Sequence, residues 1–291
     1  MPDDSESTHK ARSRGYHTGG VETVISVDDV QREAEAIAEK GLDAARLTAL
    51  CSGEPFVDIS GLRAGYGKME ILHDLDLKVS RGQSLCLIGP NGAGKSTVLH
   101  SVFGFTNIFG GSIRVGGRDI TALNSNDKLK EAGIAYILQD KSVFPGMTVE
   151  ENLWMGGYLM DSPAKAREAS EQIFKKYPRL ADRRKHAAGV LSGGERRLLE
   201  ISRALVMGPE VLLVDEPSIG LEPRFIDMVF GILDDLQHEE GKTIVMVEQN
   251  AKRGLEFADI GYVMVSGNIA IAGSGDELLE NPDVGRLFLG G

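Results

Sequence analysis

Gly89-Pro90-Asn91-Gly92-Ala93-Gly94-Lys95-Ser96-Thr97 fits the pattern G-x-x-x-x-G-K-[ST], and its flanks decide the fold. The apolar run Ser84–Ile88 precedes it and reads as a buried strand. A helix follows from about Lys95. Glycines let successive backbone N–H groups curl around phosphate oxygens. The N-terminus of the helix turns its partial positive charge toward the same anion. In such a loop Lys95 reaches the terminal phosphates and Ser96 offers its hydroxyl to Mg²⁺. A Gly-rich turn before an ordinary helix is the plain alternative, and it leaves the full match of fixed positions and flanks unexplained.

Outward from the loop, Val211-Leu212-Leu213-Val214-Asp215-Glu216 runs four apolar residues into two carboxylates. A buried strand ending in Asp delivers that carboxylate to the carboxyl edge of a sheet, beside the phosphate loop. Asp215 then suits the surroundings of Mg²⁺, and Glu216 is placed to polarise an attacking water. A second apolar strand reads at Thr243–Val247, with a helix at about 225–238 between the two. Short strands read at 56–59, 75–79 and 113–115, residues 148–205 read as helical, and 261–271 reads as a hairpin before a short helix at 275–280. Strands alternating with helices, the strands apolar throughout, predict an α/β fold with a mostly parallel sheet covered on both faces.

Between loop and acidic strand lies Leu191-Ser192-Gly193-Gly194-Glu195, opening a helix that carries Arg196, Arg197, Leu198, Leu199, Ile201, Ala204 and Leu205. Ser192 and Glu195 form a capping box, which explains those two residues on its own. It does not require two glycines, and Gly193 and Gly194 leave the helix N-terminus bare for close approach by a phosphate. The order GPNGAGKST, LSGGE, VLLVDEP resembles the nucleotide-binding subunit of ATP-binding cassette (ABC) transporters over residues 56–291. The resemblance implies a phosphate-loop NTPase core with an antiparallel β subdomain and a helical subdomain at about 145–205. It implies ATP and Mg²⁺ as ligands, with ATP hydrolysis coupled to transport. Ser192, Gly193, Gly194 and Glu195 would contact the γ-phosphate held by an opposite subunit, so the ATP site would be completed by a second ABC ATPase, as homodimer or heterodimer. Tyr66 would stack on adenine, a reading preferred to that of an exposed Tyr at a strand end. Gln139, after the apolar strand in YILQD, would join Ser96 and Asp215 at Mg²⁺ and sense the γ-phosphate.

The family usually carries His after the next strand; here the matching position is Gln249, which can hydrogen-bond a phosphate and cannot take a proton. VEQNA, VFPGMTVEENL (residues 143–153), ADIGYVMVSG and the terminal FLGG resemble one branch, the ATPases of branched-chain amino-acid importers. That branch also includes urea and short-amide importers. It implies two membrane permease subunits and, through them, a periplasmic or extracellular solute-binding protein. The expected place is peripheral, on the cytoplasmic face of the inner (plasma) membrane. The region after Gln139 would meet the permease; Phe144, Trp154 and Tyr158 are candidates for that surface, and equally for core. A soluble scaffold or a nucleotide sensor would carry the same motifs. The long coiled-coil insertion of chromosome ATPases is missing between Lys95 and Ser192.

Composition is compatible with this reading. The 291 residues are 42% hydrophobic and carry a net charge of −11, which argues against nucleic acid held through phosphates. Cys51 and Cys86 are too few for a disulfide framework, and Cys86 reads as a small buried apolar residue. No apolar run is long enough to span a bilayer, and the polar start lacks a secretory h-region. Residues 1–27 read as a disordered tail. Residues 28–55 read as a helical extension and linker, with Val30, Ala34, Ile37, Ala38, Leu42, Ala45 and Ala49 as its stripe and Asp28 as its cap.

Overall fold

A computed structural model describes residues 44–139 and 142–289. Short helix α1 (Ala44–Ala49) leads into strands β1 (Pro55–Tyr66), β2 (Met69–Ser80) and β3 (Ser84–Ile88), then α2 (Lys95–Phe103). Strands β4 (Asn107–Val115) and β5 (Arg118–Asp119), helix α3 (Ser125–Ala132) and β6 (Ile134–Ile137) follow. The helical region comprises α4 (Val149–Gly156), α5 (Pro163–Lys176), α6 (Pro178–Asp182), a 3₁₀ turn (Ala188–Val190) and α7 (Gly193–Leu205). The chain closes with β7 (Val211–Asp215), α8 (Pro223–His238), β8 (Thr243–Val247), α9 (Ala251–Phe257), β9 (Ile260–Val265), β10 (Asn268–Ser274), α10 (Gly275–Glu280) and α11 (Pro282–Phe288).

Six strands form one sheet in the order β10-β9-β3-β8-β7-β6, parallel from β9 to β6 with antiparallel β10 on the edge. Its central strands are buried throughout and their residues alternate between two cores. Cys86, Ile88, Leu212, Val214, Ile244 and Met246 face the helical side. Leu85, Leu87, Val211, Leu213, Val245 and Val247 face the second, four-stranded antiparallel sheet, ordered β2-β1-β4-β5. Burial on both faces is the reason these strands read as unbroken apolar runs. Because β3, β8 and β7 are parallel neighbours, their carboxyl ends bring the glycine loop, Gln249 and the Asp215–Glu216 pair to one edge of the sheet.

Several expectations are corrected. The strands expected at 56–59 and 75–79 are the first part of β1 and the last part of β2, each twelve residues long. Register breaks between Ile59, Leu62 and Ala64 hide the alternation of β1. The run 148–205 is four helices and a 3₁₀ turn, started by Thr148, Ser162, Pro178 and Ser192. In α1 the buried residue is Leu47, while Ala45 and Ala49 of the expected stripe are exposed. Leu47 enters the core beside β2, and Arg46 pairs with Glu277 at 2.5 Å. Asp28, Val30, Ala34, Ile37, Ala38 and Leu42 lie outside the described residues. Among the described residues no helix is long and apolar enough to cross a membrane.

Candidate functional site

The loop between β3 and α2 wraps a cavity of about 230 Å³ lined by Ile71, Asn91, Gly92, Gly94, Lys95, Ser96, Thr97 and Glu216. Gly89 adopts φ +143°, and a Cβ there would lie 2.2 Å from the Met264 carbonyl oxygen, so only glycine lets the loop pass β9. Ala93 N–H closes the turn onto Pro90 at 3.2 Å. Lys95 is almost fully buried and its Nζ donates to the carbonyls of Gly89 at 2.8 Å and Pro90 at 3.0 Å. Burial lowers its pKa, and the charges of Glu216 and Asp215 oppose that shift.

Ser96 Oγ donates to Asp215 Oδ1 at 3.1 Å, which joins loop and acidic strand directly. Asp215 Oδ2 accepts from the hydroxyl of Tyr136 at 2.7 Å. Burial, then the Asp215 charge, raises the Tyr136 pKa, so Tyr136 stays a donor. Glu216 sits next to the cavity with φ +42°, its N–H bonded to Val247 O at 2.8 Å. Burial first, and the charge of Asp215 second, raise its pKa. Gln139 Nε2 donates to Glu216 Oε2 at 2.6 Å. Gln249 is exposed at the end of β8, after Glu248. Tyr66 is 41% exposed and its hydroxyl bonds His100 Nδ1.

One group stands apart. Ser192, Gly194 and Glu195 line a different hollow of about 390 Å³ with Arg179, Arg183 and Phe225. None of these signature residues lines the loop cavity. The expected capping box is present: Glu195 N–H donates to Ser192 Oγ at 3.3 Å, and Ser192 N–H donates to Glu195 Oε2 at 2.9 Å. The reading of both glycines as bare needs correction. A Cβ at Gly193 would meet nothing nearer than Leu221 at 4.0 Å, whereas one at Gly194 would lie 2.1 Å from the Phe225 ring. Gly193 leaves the helix end open; Gly194 lets α7 pack on α8.

The family model described as ABC transporter matches residues 72–219, from within β2 to the loop after Glu216. This chain belongs to the ABC transporter family. It is an ATP-binding, ATP-hydrolysing cassette of that family. The cassette is 42% identical to the high-affinity branched-chain amino acid transport ATP-binding protein BraG of Pseudomonas aeruginosa, over 78% of this chain and 96% of that protein. It is 38% identical to the probable branched-chain amino acid transport ATP-binding protein LivF of Archaeoglobus fulgidus, over 79% of this chain and 96% of that one. Among solved structures it resembles MJ1267, an ATP-binding cassette of an ABC transporter, with TM-score 0.72 and 29% identity over 81% of this chain and 99% of that one.

The cassette also holds site residues that sequence reasoning missed. Tyr136 reads in sequence only as part of an apolar strand; its bond to Asp215 depends on β6 lying beside β7. Glu248 is buried, and its Oε1 accepts from Ser218 Oγ at 2.8 Å and Asn250 N–H at 2.9 Å, tying the loop after Glu216 to the strand end that carries Gln249. Two carboxylates at the ends of adjacent strands were a legible signal for it. Phe144 and Tyr158 are exposed; Trp154 is half-buried with the Arg167 guanidinium 5.0 Å from its ring.

Proposed function

We propose that this cassette is one of two ATP-hydrolysing subunits that power import of branched-chain amino acids. The solute class is supported by the likeness to the BraG and LivF proteins over nearly their whole length. The observation that carries the chemistry is the Gln139–Glu216 bond at the rim of the Lys95 cavity. In the reaction Glu216 takes a proton from the attacking water, its raised pKa suiting a base. Lys95 exchanges the Gly89 and Pro90 carbonyls for β- and γ-phosphate oxygens, with the backbone N–H groups of residues 89–97, Pro90 excepted, around them. Tyr66 stacks on adenine, and Gln249 hydrogen-bonds the γ-phosphate without accepting a proton.

The donor set fits Mg²⁺: Ser96 and Asp215 already meet, and the side-chain amide of Gln139, bonded to neighbouring Glu216, would supply a third hard oxygen. When bound, the ion neutralises charge building on the phosphates. Tyr136 holds one Asp215 oxygen and leaves the other toward Ser96.

Ser192, Gly194 and Glu195 line a hollow separate from the loop cavity, which supports a head-to-tail pair in which each chain's signature, Gly193 included, closes on its partner's ATP. The partner is a second copy or a different ABC ATPase. Two permease subunits hold the pair at the cytoplasmic face of the inner membrane as peripheral subunits, and a solute-binding protein outside delivers the amino acid.

Glu216→Gln will abolish steady hydrolysis while ATP affinity stays within about threefold of wild type. Leucine uptake by cells carrying only that variant will stop, and urea uptake will not change. Hydrolysis at the wild-type rate would overturn the role of Glu216; leucine uptake surviving deletion of the chain would overturn the solute class.

A further inference from the structure

We propose that Arg197 is a positioning residue: from the signature helix it holds the backbone of the glutamine loop and so sets where Gln139 meets Glu216. The inference rests on the ATPase reading above and deepens it. Arg197 is 4% exposed on α7. Its Nη1 donates to the Leu138 carbonyl at 2.7 Å, to the Gln139 carbonyl at 3.3 Å, and to Glu200 Oε2 at 2.9 Å. The other oxygen of Glu200 accepts from Ser142 N–H at 3.4 Å. One buried ion pair on α7 thus grips the described residues on both sides of the loop.

A pair kept for stability alone would be expected to close on itself. An arginine facing a carboxylate fits it best through two parallel N–H bonds. Here Nη1 alone reaches Glu200, while Nε and Nη2 are buried and find no hydrogen-bond partner among the described residues. Unmade donors in a buried site cost stability, and a buried ion pair is often no better than apolar residues of the same volume. What the pair gains instead is contact with main-chain carbonyls one residue from the active amide. Gln139 Nε2 sits 2.6 Å from Glu216 Oε2, so a shift of the Leu138–Gln139 backbone moves that amide directly. The same helix begins at Ser192 and Gly193. Closure of the signature on a partner's nucleotide would therefore be felt at Glu216 of the same chain through Arg197.

The test is a double-mutant cycle. Replacing Arg197 alone would strand a buried Glu200, so the pair is changed together, Arg197→Met with Glu200→Met, alongside Gln139→Ala and the triple variant. The pair variant is expected to bind ATP within about twofold of wild type and to lose about tenfold in kcat, as misplacement away from the chemistry does. In the Gln139→Ala background the same change should cost nothing further, because both act through one contact. Amide hydrogen exchange at residues 137–139 and 142–143 should rise in the pair variant whether or not ATP turns over. Multiplicative losses, an unchanged kcat, or unchanged exchange would overturn the proposal. If the pair variant does not fold, Arg197→Lys, which keeps the buried charge but can reach fewer carbonyls, carries the same cycle and the same exchange measurement. A wild-type chain that binds ATP without hydrolysing it would overturn the ATPase reading instead, and the exchange measurement would still decide the role of Arg197.

Discussion

Glu216 combines a left-handed backbone with a carboxylate half removed from water. For a non-glycine residue that conformation costs on the order of 1 kcal/mol or more and persists where the surroundings enforce it. Its N–H bond to Val247 and its contact with Gln139 are that enforcement. Because burial and Asp215 raise its pKa, the group gains its proton at a higher pH than an ordinary glutamate. ATPase activity should therefore fall on acidification along a limb centred above about 4.3, the ordinary glutamate value. A pH profile of kcat/KM with its limb at the ordinary value would contradict this.

Lys128 offers a second test at this scale. It is completely buried and its ammonium donates to the Ser101 carbonyl at 3.2 Å, in the last turn of the helix that begins at Lys95. Burial pushes its pKa down to about 8. Between that value and the unfolded value near 10.4 the unfolded chain binds the extra proton, so stability from this site rises with pH across that window. Denaturant titrations should show wild type gaining about 3 kcal/mol on Lys128→Met between pH 7 and pH 10.5. An unchanged difference would mean that Lys128 titrates normally.

At the scale of elements the two signature glycines separate. Gly194→Ala forces a methyl into the Phe225 ring, so α7 and α8 must part, at a cost of about 1–3 kcal/mol. Gly193→Ala meets open space and should melt like wild type, yet lower ATPase activity if its backbone approaches a phosphate. Thermal melts and turnover of the two variants check this; equal melting temperatures would remove the packing role of Gly194. Elements whose environment is simple were legible in the sequence: β3, β7 and β8, buried on both faces, and α4 and α7, each announced by a capping box. Elements that depend on distant partners were not. Helix α9 contains Gly254, which reads as a breaker, but a Cβ there would lie 2.6 Å from the Cys86 sulfur, so the glycine marks close packing. At the site, Lys95, Ser96, Asp215 and Glu216 were legible because motif and strand end fix them locally. Tyr136, Arg197 and Glu248 act across strand pairs or between helix and loop, and no local spacing encodes that.

For the molecule as a whole, both faces of the central sheet are covered, yet the helical region leaves large apolar side chains in water. Tyr158 is 77% exposed and Val190 73%, with Phe144 and Met155 also exposed nearby in the chain. Such residues on an otherwise well-packed cassette suit a covering partner. Tyr158→Asp with Val190→Asp should reduce co-purification of the transporter's membrane components from gently solubilised membranes about tenfold, with ATP affinity of the isolated chain unchanged. Full recovery of those components would move the docking face elsewhere.

The separation of Ser192–Glu195 from the Lys95 cavity bears on how the protein would behave in a test tube. Under the head-to-tail pairing proposed above, a chain that carries one half of each of two sites is no catalyst by itself, so turnover per chain would follow mass action: it would fade on dilution and climb as encounters become frequent. Mixed with copies whose own halves are damaged, it rescues or is poisoned according to which half the neighbour lacks. Stoichiometry, rather than the perfection of any single chain, then governs output.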